Sequence, residues 1–283
     1  LSKKEEHQLF LKSKAASFYS FDKGTSPQDY PGSLMGSIAL LRQTYLDGEW
    51  YENRNSDEVN LSLEAWNNNL SYTPVFDAGN VLNILRADKV GDEFGVQYII
   101  KEDGTAYQKL DAVKATNAAL IVPLQFPEAY DVSDPFDAEN VRLSEMKHWE
   151  LAPANAKFLN EKGIDFCFTA HGLDKPEEFL KRVKEAVKAG LPKVEALKAM
   201  TINTAQLFGL EKQVGTLEKG KRANFIVTTK PLFDKNSEII QNWVDGEQYI
   251  LKQAHDAIEL GEYNLSLADV NYDLKIFGSV FNP

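Results

Sequence analysis

The chain has 283 residues, 43% of them hydrophobic, enough to bury one large core or two unequal ones, and this composition excludes disordered and collagen-like classes. With 31 Lys and Arg against 42 Asp and Glu the net charge is −11, which repels phosphate backbones. No local basic patch offsets that charge, so nucleic acid is excluded as an expected partner.

The single cysteine, Cys167, permits no internal disulfide and sits in an apolar run, where it reads as a small core residue. No apolar stretch reaches the roughly 18 residues needed to cross a bilayer, so no membrane association is expected. Leu1–Glu6 is polar, without a signal-peptide core, and the chain begins without Met, which leaves room for a leader or domain upstream.

In chain order, residues 3–19 are rich in helix formers, and a Gly- and Pro-containing loop from Asp22 to Gly32 interrupts them. A second helix is expected to start at the cap Ser33, run through Leu34, Ile38, Leu41 and Tyr45, and stop at Asp47-Gly48. From about residue 60, helical segments near 79–89, 105–116 and 145–161 alternate with apolar runs at Thr73–Phe76, Val96–Ile100, Ala119–Val122 and Asp165–Thr169. Alternation of this kind signals a parallel sheet, and the unbroken apolar character of the runs fits strands covered on both faces. Asp174 with Glu177 reads as a capping box for a helix ending at Gly190. Pro192 opens another helix, carrying Val194, Leu197, Met200, Ala205 and Phe208 on its apolar face and closing at Gly209.

Beyond Gly209 the period shortens. Val214–Leu217, Asn224–Thr228, Ile239–Val244 and Glu247–Leu251 read as strands, with Asp245-Gly246 as a hairpin turn. Tyr263–Leu267 and Tyr272–Phe277 alternate like a further half-exposed hairpin. The expected domains are therefore 1–210, 211–251 and 252–283.

Two stretches carry a resemblance. Ala196–Ala205 contains T-x-N-x-A (Thr201, Asn203, Ala205), and Gly215–Val227 contains G-T-L-x-x-G-K-x-A-N-x-I-V. Together they resemble the end of amidohydrolase-superfamily enzymes, with Asn224 where Asp is usual. Gln28–Gln43 resembles a segment of the imidazolonepropionase-like branch. The resemblance implies an α/β fold: the last four strands of a TIM-like (β/α)8 metal-dependent hydrolase barrel, with a small β-sandwich appendage. The N-terminal half of the barrel, with its H-x-H ligands, would then lie upstream. It also implies hydrolysis of C–N bonds in amides or cyclic amides with zinc or another divalent metal, and it points to a periplasmic location. The expected partners are the remainder of the barrel or a second amidohydrolase-like domain, and a small amide or peptide-like substrate.

Barrel chemistry gathers where strands end. The residues past the four runs are Asp77; Lys101, Glu102 and Asp103; Gln125; and Thr169 with His171. The family places a metal-binding His after strands five and six and an Asp after strand eight. Here Asp77 stands for the first His, no His follows the sixth strand, and His171 stands for the Asp. Asp77, His171 and Asp103 are thus the candidate metal ligands, and Asp77 and His171 the candidate catalytic pair. Two readings remain open: they share a divalent ion, since carboxylate and imidazole both bind zinc, or they pair by a plain hydrogen bond across a degenerate, catalytically impaired mouth. The rivals to impairment are an active hydrolase completed by upstream histidines and a binding module without chemistry. Of the other histidines, His7 and His255 read as solvated. His148 reads as a packing group beside Trp149 or as a residue that reaches the mouth.

Overall fold

The computed structural model describes residues 10–54, 57–252, 261–267 and 270–276. His7, His255 and Phe277 lie outside these, as does the beginning of the helix expected over 3–19. The chain forms two compact units, one up to Lys221 and one from Arg222 onward.

Ala16–Ser20 is a strand, β1, and not part of a helix. Its alternating residues Phe18, 75% exposed, and Tyr19, buried, show the period of two that competes with helical propensity. It lies parallel to β2 (Thr73–Gly79), with Phe18 opposite Val75 and Ser20 opposite Asp77.

Between them run helices α1 (Leu34–Asn53) and α2 (Leu61–Asn69). Ser33 caps α1 as expected, its hydroxyl accepting from Gly36 N at 3.2 Å. The helix continues through Gly48, because that glycine serves close approach and not termination. A Cβ there would stand 2.6 Å from Asn67 Oδ1 and 2.7 Å from Trp66 Cδ1.

The remaining units follow in order: α3 (Val81–Phe94), β3 (Ile99–Glu102), α4 (Leu110–Ala115), β4 (Leu120–Pro123), α5 (Pro135–Asn140), α6 (Leu143–Leu151), α7 (Asn155–Lys162), β5 (Phe166–Thr169) and α8 (Phe179–Lys188). A short 3₁₀ turn over Ala152–Ala154, with Pro153 inside it, divides the single helix expected over 145–161. The Asp174/Glu177 capping box does not form; a 3₁₀ turn over Pro176–Glu178 leads into α8.

The helix expected from Pro192 to Gly209 is two, α9 (Lys193–Met200) and α10 (Ile202–Leu207), broken at Thr201. Its buried residues are Ala196, Ala199 and Ala205, whereas Val194 and Leu197 are exposed. Asn203 of the T-x-N-x-A motif donates to Phe166 O at 2.9 Å, tying α10 to β5.

The sheet therefore has five parallel strands, one more than the sequence reading found, in the order β1-β2-β3-β4-β5. This consecutive order has no reversal point, so right-handed crossovers wind it one way only, as in a barrel and unlike a doubly wound sheet. Val75, Phe76, Ile100 and Leu120 are fully buried, and Phe166 and Cys167 nearly so. Complete burial of one such large side chain contributes about 1.5–3 kcal/mol. Cys167 is a buried free thiol, as read from the sequence, and burial pushes it up to about 11. An aromatic group, Tyr19, Tyr45, Trp66, Tyr98 and Phe76, packs edge-on and stacked under the β1–β3 side.

In the second unit β6 (Phe225–Thr228), β7 (Ile239–Val244) and β8 (Glu247–Ile250) form an antiparallel three-stranded sheet. Asp245 and Gly246 both have positive φ (52° and 83°), the conformation a two-residue hairpin turn requires. Val214–Leu217 is not a strand. β9 (Gly261–Leu267) and β10 (Val270–Ile276) pair antiparallel as a separate hairpin. No helix among the described residues is long and apolar enough to cross a membrane.

Candidate functional site

The carboxyl ends of the five strands carry the polar side chains expected to form a site. At the β2–β3 corner, Asp77 and Lys101 are direct register neighbours, and Lys101 Nζ donates to Asp77 Oδ2 at 2.6 Å. A bulge after Asp77, between it and Gly79, re-aims the strand end at this corner. The Lys101 side chain is only 17% exposed and that of Asp77 44%, so the pair lies partly sheltered at the rim.

His171 lies on the exposed turn after β5, its backbone N–H donating to Thr169 Oγ1 at 3.1 Å. β2 and β5 are three strand positions apart, roughly 14 Å at the usual interstrand spacing. The partner of Asp77 is Lys101, the neighbouring strand's cation. Asp103 faces its own loop, with Oδ1 accepting from Thr105 N at 3.2 Å and from the Thr105 hydroxyl. Among the described residues no three His, Cys, Asp or Glu side chains converge in a way that could hold a metal ion.

A divalent ion does not fit this donor set. The Lys101 ammonium already neutralises the Asp77 carboxylate at hydrogen-bond distance. Two like charges about 4 Å apart repel by about 4 kcal/mol at the effective dielectric of a protein surface, so a metal on Asp77 would have to displace Lys101 first.

Glu102, one residue on, turns inward. It is 2% exposed and its Oε2 accepts from Gly104 N at 2.7 Å and Ala106 N at 3.1 Å, while Oε1 accepts from Asn155 Nδ2 at 2.9 Å. Burial raises its pKa from the ordinary 4.5 to about 7, against the opposing pull of these three donors. Asn155, also 2% exposed, accepts Tyr107 N on its Oδ1 at 3.0 Å. Tyr107 Oη and His148 Nδ1 share a hydrogen bond of 3.1 Å, and their rings stack with centroids 6.0 Å apart. His148 therefore packs on Tyr107, and Trp149 is exposed.

Tyr107, Asn155 and the ion-pairing role of Lys101 were not read from the sequence. Tyr107 and His148 lie 41 positions apart and Asn155 lies 48 from Tyr107, without a local spacing pattern. Only the alternation along β3, with Lys101 at the rim and Glu102 inside, carried a signal.

The model described as Amidohydrolase family matches residues 102–249. Adenine deaminase 3 of Rhizobium meliloti (strain 1021) is 35% identical over 89 residues, 29% of this chain and 15% of that protein. Adenine deaminase 1 of Jannaschia sp. (strain CCS1) is 41% identical over 64 residues, 23% of this chain and 11% of that protein. The match to these curated relatives thus spans about a seventh of their length or less. Among solved structures, an amidohydrolase from Thermotoga maritima MSB8 superposes with a TM-score of 0.69 at 22% identity, over 86% of this chain and 64% of that one. At that identity the likeness establishes the fold, an α/β barrel type.

Proposed function

Because the chain belongs to the amidohydrolase family, whose model covers just over half of it, we propose that it is part of a C–N-bond hydrolase barrel whose own strand ends have given up metal chemistry. The observation that carries this reading is the 2.6 Å ion pair between Asp77 and Lys101. An internal ammonium occupies the carboxylate at the corner that we assign to the family's two metal-binding histidines. In this reading the chain supplies structure, and it works beside an active barrel in the same polypeptide or assembly. β1 and β5 each have a strand neighbour on one side only among the described residues. Such edges invite further parallel strands, and we assign that role to the remainder of the barrel. The adenine deaminase relatives support C–N hydrolysis as the reaction class of the whole.

Metal analysis of the purified full-length protein tests the reading. The expected result is that whatever zinc, manganese or iron the full-length protein carries is unchanged in Asp77→Asn and His171→Ala. One equivalent of metal that is lost in His171→Ala or Asp77→Asn would overturn it, in favour of an active hydrolase in which upstream histidines complete the site.

A further inference from the structure

No further inference is drawn: the strongest candidate, the cavity of about 440 Å³ at the β4–β5 strand ends, carries nothing, because its lining sets the exposed carboxylates of Glu128 and Asp174 beside the buried donor Arg182 Nε and so selects neither a cation nor an anion.

Discussion

Two corners of one strand-end rim, built from the same kinds of residues, have been used in opposite ways. At β2–β3 a carboxylate and an ammonium sit side by side in register and neutralise each other at 2.6 Å. At β4–β5 the carboxylates of Glu128 and Asp174 face a cavity, and a histidine is held in place by a chain leading back to Glu102. The two corners meet within β3, where Lys101 serves the first and Glu102, the next residue, anchors the second. Alternation along a strand sends successive side chains to opposite sides, so one residue step separates a closed electrostatic pair from the support of an open site. One corner of the rim is thus closed by its own ion pair, while the other faces a cavity.

The strongest way to break this comparison is Glu102→Ala. It strands two backbone N–H groups and the Asn155 amide in the interior, and a loss of about 3–5 kcal/mol in urea unfolding is expected. A loss under about 1 kcal/mol would show that the β4–β5 corner does not rest on Glu102.

Next comes pH. Folded Glu102 keeps its proton up to about 7, whereas the unfolded carboxyl releases it near 4.5. Between those values the folded state binds more protons, so stability falls as pH rises through the window, by as much as about 3 kcal/mol. Denaturation midpoints at intervals across that range check the slope, and Glu102→Gln should flatten it.

At the other corner Lys101→Met removes the partner of a half-exposed carboxylate, with an expected cost of about 1 kcal/mol. A double-mutant cycle with Asp77→Asn should return a coupling of that size; a coupling near zero would mean that the pair is not formed in solution. The smallest effect belongs to Tyr107→Phe, about 0.5–1.5 kcal/mol, measured together with the His148 ring shift.

Much of this architecture was legible in the sequence. The apolar runs at 73–76, 119–122 and 165–169 each became a strand within a residue or two at the start, because strands covered on both faces leave an unbroken apolar signal. The Asp245-Gly246 turn was equally readable, since few residue pairs tolerate two positive φ angles. β1 was not, because Ala16–Ser20 is only five residues long and follows a run of helix formers that outweighs its Phe18-Tyr19 pair. Its strand character comes from β2 lying beside it. Gly48 read as a helix stop for a similar reason: only the approach of α2 explains a glycine within a continuing helix.

The candidate site divides along the same line. Its residue types and their placement at strand ends were visible in the chain order. Their partners were not. That Asp77 meets Lys101, and that His148 rests on Tyr107 and not on Trp149, depends on strand register and on contacts spanning 24 and 41 positions. The sequence by itself determined which segments are apolar enough to be buried, which turns must form, and which family the chain resembles, because local composition and backbone preference decide these. Only the tertiary structure decided which charges neutralise each other and which are left facing a cavity, because Coulomb and hydrogen-bond partners are chosen by distance in space.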